Sequence, residues 1–448
     1  MRNAGTKYGY CLTVALCSAA FAAQGAVEPS TAADCVKVRK LYLSDYRDKM
    51  AGAWLGQMVG VEFGQPTEGR KKGALWSFDE LPVWRPEMVN GAFDNDDLFV
   101  EANFIRTLES RGIDVDARAA GIDFANMPSN LYGANFYGLN NLRKGIAPPA
   151  CGHPKHHRSP DALDYQIESD FSGIVAPGLP QRAIMLGEQF GRLVSHGDGL
   201  YAGQFIGAMY SAAFFEPSRA KAFDPSRVRV VEEALKAIPA ECKYAQMVRD
   251  VLEWYKWTHR RWNVSWHDAW KRAVEKYGDQ KSPHFGNSET VHMEVKLNGA
   301  MVIIGYLWGE GDIEQTMKIA TACGFDSDCN PSSALGVLGC QLGAKAFDAK
   351  YTSALDPTIE YSCSGYCWHG LLEACERIAR QIVVAEGGSI GRDGRGDYFL
   401  IPEKTPVPSP FADSLKPAEC KDLRYTDEEM SQIRYKPVAK MKDPVVSK

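Results

Sequence analysis

The sequence lacks the short motifs on which nucleotide-triphosphate and dinucleotide chemistry is built. It contains no G-x-x-x-x-G-K and no G-x-G-x-x-G, so those two readings have no foothold. Internal repeats and long low-complexity linkers are missing too, which excludes solenoids and propellers. Alternating apolar–polar runs are scarce, which argues against a sandwich or barrel. Positive charge is not in excess. The chain has 51 Lys and Arg against 56 Asp and Glu, a net charge of −5, and a mildly acidic surface excludes nucleic acid and anionic membrane as principal partners.

The first 26 residues read as a leader. Arg2 and Lys7 precede the short apolar run "CLTVALCSAAFAA", and Ala20 and Ala22 form an A-x-A pattern that suits cleavage before Ala23, with a cut after Ala26 as the alternative. The run is too short for a membrane anchor. Secretion or a periplasmic location is therefore expected, with the net charge at −7 once the leader's two cations are gone. Beyond it the organisation reads as one helical domain over 27–400 and a Pro/Lys-rich extension over 401–448, a surface wrap or partly disordered tail. Ten of the twelve cysteines lie outside the leader. In an oxidising compartment Cys363, Cys367 and Cys375 are candidates for pairing, as are Cys35 and Cys420, with Cys329 left free.

Helical periodicity dominates. In "SDYRDKMAGAWLGQMVGVEFG" Tyr46, Met50, Trp54 and Met58 recur every four residues behind Ser44, an expected N-cap. Gly52, Gly56, Gly60 and Gly64 share that spacing on another face. Each weakens a helix by roughly 1 kcal/mol relative to alanine, so the stripe predicts close approach of a neighbouring helix. Further helices are expected over "PQRAIMLGEQFGRLVSHGDG", "YAGQFIGAMYSAAFF", "YAQMVRDVLEWYKWTHRRW", "LNGAMVIIGYLWG", "IEQTMKIATACG" and "HGLLEACERIARQIVVAEGG". Several are apolar nearly all round, as central bundle helices are.

Two acidic clusters stand out against this background. Asp94, Asn95, Asp96 and Asp97 crowd the start of one helical pattern; Asp326 and Asp328 precede another, in which Asn330 is the expected cap and Pro331 the first helical residue. Acids at a helix N-terminus stabilise it by up to about 1 kcal/mol each, so two independent caps are one reading. A hard divalent cation shared between the clusters is the other, since Mg²⁺ takes six oxygens, mostly carboxylate and water.

These residues resemble the ADP-ribosylglycohydrolase family, all-α magnesium enzymes that remove ADP-ribose from modified side chains. Gly52 to Gly64 are similar to the family's opening glycine-rich helix, Asn95-Asp96-Asp97-Leu98 to its T-D-D-T motif, and Gly324-Phe325-Asp326-Ser327-Asp328-Cys329 to its closing G-G-D-T-D-T. Glu168 to Pro180 resemble its middle element and Ser195-His196-Gly197-Asp198 its "tH-x-D" helix end. The resemblance implies a compact orthogonal multi-helix bundle and a binuclear Mg²⁺ centre, with Mn²⁺ as substitute, held by Asn95, Asp96, Asp97, Asp326 and Asp328. It implies cleavage at the anomeric carbon of a ribofuranosyl unit, with Asp170 as general acid or base ahead of Glu168 and Glu62. Phe325, Cys329, Asn330 and His196 fall on the substrate's side. Where the family has threonines, Asn95, Leu98 and Cys329 stand; Ile174 and Val61 replace its usual arginine and aspartate. The metal centre thus reads as kept and the substrate pocket as remodelled, towards an ADP-ribosyl adduct or another furanoside, glycan or nucleoside. A non-catalytic binding protein on the same fold is the alternative.

Three features stand apart from the resemblance. Trp254, Trp257, Trp262, Trp266 and Trp270 are expected mainly in the core. "CGHPKHH", with Cys151, His153, His156 and His157, fits no common zinc spacing. His196 is expected to cap the last carbonyls of a helix.

Overall fold

Four glycines spaced one turn apart decide how the two central helices meet. The structure, a computed structural model, describes residues 37–128, 131–218, 223–259, 263–278 and 291–438; the segment expected to be a leader, Cys35 and Trp262 lie outside them. Helix α1 (Leu43–Gly64) lies against α14 (Cys329–Leu342). A Cβ on Gly52, Gly56, Gly60 or Gly64 would collide with the carbonyl oxygen of Gly339, Leu335, Pro331 or Ser327 respectively. The stripe therefore runs antiparallel along the backbone of α14. The other face of α1 buries Tyr46, Met50, Trp54 and Met58, each contributing roughly 1.5–3 kcal/mol of transfer free energy.

The remaining helices surround this pair. They are α2 (Asp96–Arg111), α3 (Ala117–Ala125), α4 (Gly133–Arg143), α5 (Asp164–Ile167), α6 (Asp170–Ile174), α7 (Pro180–Phe190), α8 (Asp198–Ala213) and α9 (Pro225–Leu235). After them come α10 (Lys243–Trp257), α11 (Trp266–Tyr277), α12 (Val295–Trp308), α13 (Ile313–Ala322), α15 (Ala349–Thr352), α16 (Trp368–Ala385) and α17 (Asp427–Ser431). Among the described residues the chain is all-α apart from one small antiparallel sheet in the order β1-β3-β2, formed by β1 (Val38–Tyr42), β2 (Ser389–Asp393) and β3 (Gly396–Pro402). Val38 pairs with Pro402 and Tyr42 with Tyr398. Among the described residues no helix is long and apolar enough to cross a membrane.

Several local expectations are corrected. Helix α1 begins at Leu43 with Tyr42 as its cap, so Ser44 is already helical. Helix α14 begins at Cys329 behind Asp328, which puts Asn330 and Pro331 inside its first turn. The single helix expected over 180–199 breaks at Phe190 into a 3₁₀ turn, and His196, beyond that turn, donates its backbone N–H to the Pro160 carbonyl. The nine described cysteines are all free thiols, including Cys363, Cys367, Cys375 and Cys420. The segment after β3 runs over the helices as a strap. Ser409 donates to Glu188, Tyr201 Oη to the Pro410 carbonyl, and Arg118 forms an ion pair with Glu429.

Candidate metal centre and active site

Helix α2 starts where Asn95, in extended conformation, accepts the N–H of Asp97 at 3.1 Å. This cap leaves Asp96 half-buried and turns Asp97 inward, 1 % exposed. The start of α14 comes to meet it. The Cys329 thiol donates to Asp97 Oδ1 at 3.3 Å and lies 3.5 Å from Asp328 Oδ1. One ligand atom each from Asp326, Asp328 and Cys329 falls within 4.8 Å of the others, all three side chains being buried. The two acidic clusters, some 230 residues apart in the chain, thus converge on one point.

The loop carrying Asp326 is strained and held on every side. Gly324 and Phe325 both have positive φ, +71° and +61°, and a non-glycine residue there costs of order 1 kcal/mol unless its surroundings impose it. They do. Phe325 N–H donates to the Lys71 carbonyl at 3.0 Å, and the Phe325 carbonyl accepts from Gly69 N–H at 3.1 Å. Asn298, fully buried on α12, accepts Asp326 N–H at 3.2 Å and Asn330 Nδ2 at 2.9 Å. Thr67 and Ser327 share a hydroxyl hydrogen bond of 2.7 Å. Phe325 and Asn330 are buried, so they shape the loop from beneath.

The electrostatics are those of crowded acids. Burial, then the charge of Glu68, pushes Asp326 up to about 8. Burial and then the neighbouring carboxylates push Asp97 and Asp328 well above the usual aspartate range. Two carboxyl oxygens at this point, Asp97 Oδ2 and Asp326 Oδ2, are buried with no hydrogen-bond partner. Asp164, Glu168 and Asp170 also carry an oxygen without a donor, but those of Asp97 and Asp326 stand where two helix starts meet, and carboxylate oxygens converging there without donors are what a divalent cation fits.

Glu68 carries no mark in the sequence and emerges only in the structure. It follows the 3₁₀ turn Gln65–Thr67 at the end of α1 and stands on the solvent side of the site. The charge of Asp328, then burial, then Asp96, raise it to about 8. The half-buried Tyr132 is raised as well, by burial and then by Asp96 and Glu68, so it belongs to the same rim. The glycine stripe was the available signal, because a helix laid antiparallel on α14 delivers the residues after Gly64 to the loop that starts α14.

The acids proposed from the sequence are dispersed. Glu168 is fully buried, accepts from Asn135 Nδ2, and is pushed well up by burial and then by Asp164 and Asp96. Asp170 lies on α6, accepts Tyr210 Oη at 2.6 Å and is held at about 8 by burial. Its backbone N–H and that of Phe171 donate to Glu101, one turn beyond Asp97 on α2. Glu62 packs its carboxyl on Gly91 and rises to about 7 by burial alone. His196 stacks edge-on against His153, and its carbonyl accepts from Ser414 of the strap. The groups of the 151–157 loop are used separately, Cys151 donating to the Leu193 carbonyl and His157 bonding the Ala134 carbonyl. Of the tryptophans, Trp254 is buried, and Trp257, Trp266 and Trp270 pack partly against the core. Trp270 Nε1 donates to the Cys323 carbonyl at 2.9 Å, beside the strained loop.

The chain is similar to known proteins. The family model described as ADP-ribosylglycohydrolase matches residues 43–387. A solved structure titled "ADP-ribosylglycohydrolase-related protein complex" is similar at 19% identity, covering 75% of this chain and 100% of its own, with a TM-score of 0.44. No curated protein matches.

Proposed function

Because the chain belongs to the ADP-ribosylglycohydrolase family, and is therefore a glycohydrolase by type, we propose that it is an exported, metal-dependent enzyme that hydrolyses the C1 glycosidic bond of a ribofuranosyl unit. The observation that carries the reading is the pair of donor-less buried oxygens, Asp97 Oδ2 and Asp326 Oδ2, at the meeting of two helix starts. Asp96, Asp97, Asp326 and Asp328, with Asn95 nearby, would hold a divalent cation such as Mg²⁺. A cation there supplies positive charge to fix vicinal hydroxyls and to favour attack by water.

The chain's own groups do the rest. Asn298 and the Lys71 and Gly69 backbone fix the loop that carries Asp326, so the ligands are pre-positioned. Glu68 stands at the open side of the cluster, where a carboxyl can move a proton between water and the leaving oxygen or nitrogen. Glu168 reaches the cluster only through Asp96, and Asp170 is held by Tyr210 one layer deeper, so both are assigned to supporting the buried carboxylate row. The leader-like segment Met1–Ala26 supports export, and an exported enzyme meets free or glycan-borne furanosides. Incubating the full chain with ADP-ribosyl-arginine and a panel of furanosides, with Mg²⁺ or chelator, tests the proposal. Metal-dependent release of a free pentose or ADP-ribose is expected. Turnover unaffected by chelator, or none on any furanoside, would overturn it.

A further inference from the structure

The donor set of this centre is not uniform. Among the acids sits one sulfur. Cys329 is 6 % exposed, and its Sγ lies 3.3 Å from Asp97 Oδ1 and 3.5 Å from Asp328 Oδ1. It belongs to the same three-residue group as Asp326 and Asp328. A thiol is a poor companion for Mg²⁺, which prefers oxygen, whereas thiolate with carboxylate favours softer ions. Geometry points the same way. Zinc bonds of about 2.3 Å to sulfur and about 2.1 Å to carboxylate oxygen, spread tetrahedrally, separate the two ligand atoms by about 3.6 Å. Within that group the separation of Cys329 Sγ from Asp328 Oδ1, 3.5 Å, is already close to that value.

We propose that the ion held by Asp326, Asp328 and Cys329 is a thiophilic divalent cation of the zinc class, the thiol proton leaving to solvent as the sulfur binds. This leaves the oxygen-only side, Asn95, Asp96 and Asp97, to a harder ion. The inference rests on the reading of this cluster as a metal centre and goes beyond it by naming the metal. It also has an independent mark in the unpartnered Oδ2 of Asp326, a side chain only 5 % exposed, a carboxyl oxygen in the same cluster as the thiol with no hydrogen-bond partner of its own. Cys329 opens α14, and Asn298 holds Asp326 and Asn330 on either side of it.

The test is spectroscopic and uses the full chain after chelator treatment. Cd²⁺ or Co²⁺ is titrated and near-ultraviolet sulfur-to-metal charge-transfer absorption is followed, alongside the bound zinc content. One equivalent of thiolate-bound metal is expected. Cys329→Ser and Cys329→Thr, both close in size to cysteine, should lose the band and weaken zinc by more than about tenfold, while binding Mg²⁺ as well as or better than the parent. A charge-transfer band that persists in both variants would overturn the proposal, since another thiol would then be the ligand. Mg²⁺ binding with no thiolate band would overturn it too, leaving the oxygen-only centre standing. No binding of any divalent ion would overturn the inference and the metal centre together.

Discussion

Replacing Asp326 by asparagine separates a metal ligand from a helix-terminal acid, because the two roles give opposite signs in chelator. In the metal-free chain Asp326 is held at about 8, against an ordinary 3.8, chiefly by burial. An acid raised in the folded state keeps its proton there while the unfolded chain loses it. Its contribution therefore erodes as pH rises from about 4 and levels off above about 8. The slope is about 1.4 kcal/mol per pH unit, which gives a cost on the order of 5 kcal/mol by about pH 8. The amide of the variant has no such charge to bury. In chelator at about pH 8, Asp326→Asn should therefore unfold at a higher temperature than the parent, by about 5–10 °C at roughly 2 °C per kcal/mol. The gap should close towards about pH 4. With a divalent cation at about 100 times its dissociation constant, the parent gains about 2.7 kcal/mol and the variant gains nothing, so the difference narrows or reverses. Scanning calorimetry across that pH range, with and without metal, reads all of this. A variant less stable than the parent at every pH, with no response of the parent to metal, would refute the reasoning and leave Asp326 as a plain structural acid.

Three further outcomes are expected. Glu68→Gln should lower kcat by about 10²–10⁴-fold with metal binding retained in calorimetry, whereas Asp170→Asn should change turnover far less. Asn298→Ala removes the acceptor for Asp326 N–H and Asn330 Nδ2 and should weaken metal by about 10–100-fold, as measured by equilibrium titration. Gly60→Ala drives a methyl into the Pro331 carbonyl. Urea unfolding should show a loss at or above the usual range of about 1–3 kcal/mol for overpacking, because backbone cannot step aside as a side chain can.

How much of this is legible in the sequence depends on whether the signal is local or made by packing. Both acid clusters are legible, because acids, an amide cap and a following apolar stripe all lie within a few residues. The glycine stripe correctly foretells a close helix, and its partner proves to be the helix that carries the second cluster. Glu68 is not legible, since nothing near it in sequence marks a site; its position follows only from how α1 lies on α14. The preference for Asp170 does not foresee Tyr210, which reaches it from α8, forty residues on. Cap positions slip by a few residues at α1 and α14 because good capping residues stand just inside helices whose ends are set by tertiary contacts. The small sheet escapes a sequence reading because its strands are short and β1 meets β3 across almost the whole chain.

The most direct test of the central claim is a calorimetric titration of Mg²⁺ and Mn²⁺ into the chelator-treated chain, in parallel with Asp97→Asn and Asp326→Asn, repeated with ADP-ribose present. Saturable binding by the parent that Asp97→Asn abolishes and Asp326→Asn weakens, and that the ribofuranosyl ligand strengthens, is the predicted result. Absence of binding in the parent, or undiminished binding in both variants, would contradict a catalytic cation held where the two helix starts meet.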